Sequence, residues 1–245
     1  MFGTGIFFDV ITEMSTSAGR RGRVAAASRD QVLALAMSRY LRGRRIDVQA
    51  IASELGIGRT TIYRWFGSRD ELIGEVLVRA AEPLLAQARA AAGGQGGPAL
   101  LDTLDRFNRG LADAPALRQF VERERDAALR VITSSAGSVQ PRIAALITDL
   151  IMREVRAGAY EPQVEPGTLG YAIVRLGEAF LFNDAVAGMR GDVERLREVE
   201  AAILGVPPRA EAPAAAGGRQ TDAGIRTSVR RRLLPEGSRK PESMP

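Results

Sequence analysis

The chain has 245 residues, enough for one or two domains with a real core, and it contains no Cys and no His. Disulfides, zinc sites of the Cys/His type, a Cys nucleophile and a His base are therefore excluded. The net charge of +5 is uneven, at +1 over residues 1–27, +4 over 28–70, −4 over 71–205 and +4 over 206–245, so a basic module and a basic tail flank an acidic middle with a different task.

Residues 1–27 show no sustained period and place GRRGR at 19–23. They read as a disordered N-terminal arm whose arginines either reach a DNA backbone or minor groove or are simply solvated. Met14 offers an alternative start. The apolar opening MFGTGIFFDVITEM has no basic n-region and carries Asp9 and Glu13, so it does not read as a signal peptide. No apolar run approaches the ~18 to 20 residues of a membrane span, and the expected location is the cytoplasm.

Ser28 with Gln31 forms a capping-box pattern, and Val32, Leu35, Ala36 and Tyr40 share one face of a helix that ends near Leu41 and is closed by Gly43. Arg42, Arg44 and Arg45 cluster in the loop before Asp47, which is placed to cap the next helix. That helix carries Val48, Ile51, Ala52 and Leu55 on one face and stops at Gly56, a residue suited to the left-handed conformation past a helix end. After Ile57 and Gly58 a second short helix buries Ile62 and Phe66 and leaves Arg59, Thr60, Tyr63 and Arg64 outward. Two short helices joined by a tight Gly-containing turn make a helix-turn-helix, whose second helix enters the DNA major groove. Solvated surface helices are the alternative, and the eight Arg against four acids over residues 28–70 weigh against it.

The segment resembles the DNA-binding domain of the TetR family of transcriptional regulators. Ile51, Ala52, Gly56, Thr61, Tyr63, Phe66, Ser68, Arg69 and Leu72 meet that family's pattern at its fixed spacing, over about residues 28–76. Helix geometry makes Arg59 and Thr60, in the first turn, the base-reading candidates, an Arg there being able to pair bidentately with guanine. The resemblance implies that Gln49 also reaches a base and that Thr61, Tyr63, Trp65 and Arg69 hold phosphates. Trp65 stands where the family commonly has His; its indole N–H can still donate, or the ring packs on the first helix. Arg64 and the Arg42, Arg44, Arg45 cluster are further backbone candidates.

Beyond Gly67, the Ser68 to Glu71 capping pattern opens a long helix to about Ala92, with Pro83 expected to kink it. AAGGQGGP at 91–98 reads as a flexible break. Helices are then expected over Ala99–Leu111, Pro115 to about Thr133, Pro141–Ala157, Pro166 to about Met189, and from an Asp192 cap to Leu204. Strand alternation occurs nowhere, so the fold class is all-α: a helix-turn-helix domain at 28–70 and a helical ligand-binding and dimerisation domain at 71–205. Residues 206–245 read as a disordered basic tail, with Arg230, Arg231 and Arg232 either drawn to phosphate or serving solubility. The last two helical segments are apolar on more than one face, which suggests burial against a second copy as well as inside the subunit.

The resemblance further implies a small-molecule effector bound among the middle helices. Candidates to line its pocket are Phe107, Phe120, Glu124, Tyr171, Arg175, Glu178, Phe182 and Asn183, the aromatics being equally readable as core. Arg175 and Glu178, three apart in an apolar helix, must pair with each other or with a ligand if buried. RLGEAFLFNDAVAG at 175–188 resembles the C-terminal domain of the QsdR branch of the family, which implies a lactone-like or acyl ligand. The expected function is a homodimeric repressor released from a pseudo-palindromic operator, with no cofactor and no membrane partner. A DNA-binding architectural protein with a filled second domain is the alternative. An enzyme is the weakest reading, since no Asp or Glu stands in a catalytic motif.

Overall fold

The computed structural model describes residues 27–182 and 192–207. The arm with GRRGR, the tail from Pro208 onward, and residues 183–191, which hold the pocket candidate Asn183 and the expected end of the helix begun at Pro166, lie outside the described residues. Among the described residues there are ten α-helices and no strand, and no helix is long and apolar enough to cross a membrane.

Local chemistry places the helix starts. Helix α1 (Arg29–Leu41) opens on a complete capping box, with Ser28 Oγ accepting from Gln31 N at 3.2 Å and Gln31 Oε1 accepting from Ser28 N at 2.8 Å. Helix α2 (Val48–Glu54) begins at Asp47, and Gly56, at φ 65°, turns the chain into α3 (Arg59–Phe66). Helix α4 (Arg69–Ala91) starts with Ser68 Oγ accepting from Glu71 N at 3.0 Å. It runs on through the exposed Pro83, whose missing N–H leaves the Arg79 carbonyl without its helical donor.

The middle region departs from expectation twice. Helix α5 (Gly96–Asp113) starts three residues before Ala99, and Gly96 and Gly97 are buried rather than part of a flexible break. Gly96 has φ 72°, its N–H donates to Glu154 Oε2 at 2.8 Å, and a Cβ there would stand 2.4 Å from the Ala159 carbonyl oxygen. The expected single helix from Pro115 to Thr133 is two, α6 (Pro115–Arg123) and α7 (Arg125–Thr133), hinged at Glu124 with φ −131° and ψ 49°. Helices α8 (Val139–Arg156), α9 (Pro166–Phe182) and α10 (Val193–Ile203) follow, the last with Asp192 accepting from Arg195 N at 3.0 Å.

Two apolar clusters form the core. The first joins α1, α2 and α3 to Leu72–Val78 of α4 and to α6, α7 and Val139. The second joins Ala81, Leu85 and Ala88 of α4 to α5, α8, α9 and α10. The basic module therefore shares its core with α6 and α7 of the acidic region. Helix α4 belongs to both clusters and connects them.

Candidate DNA-reading face and effector cavity

The reading face is built by a buried stripe that orients an exposed one. Ile51 and Ile62 are fully buried at the α2–α3 corner, and Phe66 closes the far end of α3 beneath the Arg29 guanidinium, 4.5 Å from its ring centroid. Asp47 accepts from Ala50 N at 3.2 Å and Gln49 N at 2.8 Å, and these backbone donors hold its carboxyl below the usual carboxylate range. With those residues inward, Gln49, Arg59, Thr60, Tyr63 and Arg64 are exposed. Arg59 and Arg64 make no ion pair among the described residues. No side chain caps α3, because Gly58 holds its N-cap, so the first turn is unobstructed. Thr61 is half-buried, and Trp65, also half-buried, packs against the first cluster as its aromatic reading anticipated.

Arg69 is placed differently from the other candidates. Its side chain is 22% exposed, Nε donates to the Ile46 carbonyl at 2.8 Å, and Nη2 donates to Glu124 Oε2 at 2.6 Å. The exposed Arg45 stands 3.6 Å from the same oxygen, while Arg44 faces solvent. Glu124, expected in the pocket, thus ties the α6–α7 hinge to the reading head. Removing one partner leaves the other charge partly desolvated, so Arg69→Ala is expected to lower stability by about 2 kcal/mol, less than a fully buried pair would lose. Thermal unfolding of Arg69→Ala, Glu124→Ala and the double variant should show a coupling of about 1–2 kcal/mol. Strictly additive losses would mean the two side chains do not act as a pair.

Between the two clusters lies an apolar cavity with about 130 Å³ accessible to the centre of a water molecule. Leu104, Phe107, Ile147 and Ile173 are among its wall residues, and so are Leu77 of α4 and Tyr40 of α1. Of the sequence candidates, Phe107, Glu178 and Phe182 line it. Phe120 does not: it packs edge-on against Tyr40, ring centroids 6.5 Å apart. Glu124 is carried away because the hinge breaks the register continuing from Leu117 and Val121. Tyr171, two turns before Glu178 along the same side of α9, does not line the cavity and is 49% exposed. Arg175 stays at the rim, donating to the Thr133 carbonyl at 3.1 Å and to Glu178 Oε2 at 2.6 Å.

Three polar wall residues were not among the sequence's pocket candidates: Tyr40, Asn108 and Gln140. Asn108 had a signal, since it interrupts the apolar stripe of Leu101, Leu104 and Leu111. Its Nδ2 donates at 3.0 Å to Glu200 Oε1, a carboxylate only 1% exposed. Burial pushes Glu200 up to about 7, with Asp105 adding to the rise and the Asn108 hydrogen bond and Arg197 opposing it. Burial also raises Glu178, against the lowering effect of Arg175.

Comparison with known proteins is consistent with both halves of this layout. Residues 44–76 match the family described as bacterial regulatory proteins, tetR family, and residues 95–205 match the tetracyclin repressor-like C-terminal domain. The solved structure of the transcriptional repressor QsdR from the TetR family, of R. erythropolis, is 30% identical, covering 75% of this chain and 97% of that one with a TM-score of 0.70. The TetR family repressor AlkX from Dietzia sp. strain DQ12-45-1b, implicated in biodegradation of n-alkanes, is 24% identical over 77% of this chain and 98% of its own, at a TM-score of 0.49. No curated protein matches the sequence. With an all-helical fold, a helix-turn-helix in the matched N-terminal region and a 30% identical relative spanning three quarters of its length, the chain belongs to the TetR family of transcriptional regulators.

Proposed function

We propose that the protein is a homodimeric repressor that binds a pseudo-palindromic operator and is released from it by a small, largely apolar molecule. The observation that carries the ligand-responsive reading is the cavity wall itself: Tyr40 belongs to the first helix of the reading head, and Leu77 to the helix that joins the two clusters. A molecule filling that space presses directly on the element that positions α3. A filled second domain, as an architectural DNA-binding protein would have, offers no such space. Repression rather than activation is supported by the 30% identical relative, itself a transcriptional repressor.

Dimerisation follows from what one helix-turn-helix can read. A single α3 covers a half-site, and a two-fold pair sets two copies ~34 Å or a multiple of it apart. The half-buried Leu176 and Phe180 of α9, with α10, are the proposed contact. A ligand that prefers the conformation with wrongly spaced heads then lowers DNA affinity, and coupling of ~1 to 3 kcal/mol gives a roughly 5- to 150-fold loss. DNA being the target, the site of action is the cytoplasm.

Fluorescence anisotropy on the footprinted operator and on a scrambled duplex tests this reading. Arg59→Ala is expected to weaken operator binding about 10- to 100-fold, the loss of a bidentate base contact of ~1 to 3 kcal/mol, while the scrambled duplex changes little. The wild-type titration should saturate at two chains per operator or a multiple of two. Equal weakening on both duplexes would remove the base-reading role of Arg59, and saturation at one chain would remove the dimer.

A further inference from the structure

The cavity wall carries a chemical instruction beyond its apolarity. Among the described residues, only Tyr40, Asn108, Gln140 and Glu178 interrupt its apolar lining. Asn108 is engaged with Glu200. Gln140 and Glu178 are 3% and 7% exposed, and each keeps one buried polar atom with no partner among the described residues, Gln140 Nε2 and Glu178 Oε1. A buried polar atom left unpaired costs ~1 to 3 kcal/mol, and nearly all such atoms in folded proteins find a partner. Here the two lie on packed neighbouring helices, α8 and α9, and on the wall of one cavity.

Their chemistry is complementary. The Gln140 amide nitrogen donates and so asks for an acceptor. Glu178 Oε2 already accepts from Arg175 at 2.6 Å, which leaves Oε1 asking for an N–H or O–H. Charge narrows the choice further. The Arg175–Glu178 pair is already neutral, and Arg175, whose Nη1 is taken up by Glu178 and the Thr133 carbonyl, is not among the wall residues that would face an anion inside the cavity. A carboxylate head would stand beside Glu178 in an apolar space whose described wall carries no cation, and an ammonium head would compete with Arg175 for a charge already balanced.

We infer that the cavity binds an uncharged molecule with an apolar chain and a head that combines a carbonyl-type acceptor with an adjacent N–H or O–H donor, the acceptor read by Gln140 and the donor by Glu178. An amide or a hydroxy-carbonyl compound fits this description, whereas a free acid, an amine and a simple ester do not. This selection rests on the proposal that the cavity is the effector site and specifies what it admits.

Calorimetric titration of the full chain with four probes of one chain length tests it: octanamide, methyl octanoate, octanoate and octylamine. Octanamide is expected to bind at least about tenfold more tightly than the other three, since the ester leaves Glu178 Oε1 unpaired and the ions are buried uncompensated. Glu178→Gln keeps the size and the Arg175 contact but turns the free acceptor into a donor. In that variant the lead of octanamide over methyl octanoate should fall to within about twofold, with the helical circular-dichroism signal unchanged. Octanoate or octylamine binding as tightly as octanamide, a lead that survives in Glu178→Gln, or no binding by any probe would each overturn the inference. Operator release is scored separately: octanamide binding with the expected preference but without release supports this selection and overturns only the ligand-released repressor.

Discussion

Between pH 4.5 and 7 the wild-type protein is expected to lose about 3 kcal/mol of stability that a Glu200→Gln variant keeps. Glu200 is 1% exposed on α10, with Oε1 held by Asn108 and Oε2 unpaired among the described residues, and burial moves it from the ordinary value of 4.5 to about 7. In that window the unfolded chain has released the proton and the folded chain still holds it. Stability therefore falls as pH rises, fully present below 4.5 and lost by the time pH passes 7. A shift of this size corresponds to about 3 kcal/mol at 1.36 kcal/mol per unit. Asp47 and Glu165, held low by backbone donors, act in the opposite direction at lower pH in both proteins and cancel in the comparison. Urea unfolding of the two proteins at pH 5, 6, 7 and 8 checks the expectation. Parallel curves across that range would show that Glu200 is not the titrating group.

Gly96→Ala is expected to cost about 3–4 kcal/mol and to lower the melting temperature by about 10 °C. Two effects add at this position. The φ of 72° carries roughly 1 kcal/mol of strain for a residue with a side chain, and the new Cβ would meet the Ala159 carbonyl oxygen at 2.4 Å. Backbone atoms cannot turn aside as a side-chain tip can, so α5 must move away from the end of α8, and the Gly96 N–H bond to Glu154 opens with it. Gly94 is the internal control, since its φ is 79° but no atom lies within 4 Å of a Cβ there. Gly94→Ala should cost only the strain, about 1 kcal/mol. Equal losses at the two positions would show that the contact with Ala159 contributes nothing.

Much of this protein was legible because its helix starts and stops are local chemistry. Ser28, Asp47, Ser68 and Asp192 each accept from a backbone N–H within the next three residues, and Gly43, Gly56 and Gly67 all take positive φ just past a helix end. A spacing of three or four apolar residues then gave the buried stripe of α1 to α3. By exclusion the stripe gave the exposed face of Gln49, Arg59, Thr60, Tyr63 and Arg64. The all-helical class and the position of the helix-turn-helix needed nothing beyond contacts within a few residues.

What required the tertiary structure was every feature whose partner is distant in the chain. Glu124 lies 55 residues from Arg69, and Asn108 lies 92 from Glu200. Neither pairing leaves a trace in helical period. The hinge at Glu124 contains no Gly or Pro, so the break between α6 and α7 has no local marker. Gly96 and Gly97 have the composition of a linker and are buried because Ala159, Tyr160, Leu204 and Val206 approach them closely. The cavity is a negative shape left where helices from both clusters fail to fill the space between them, with Tyr40 reaching it from a helix whose period marked it only as core. Period and capping determine which face of a helix is turned inward; what stands opposite that face, and how much room is left, depends on the packing of segments tens of residues apart.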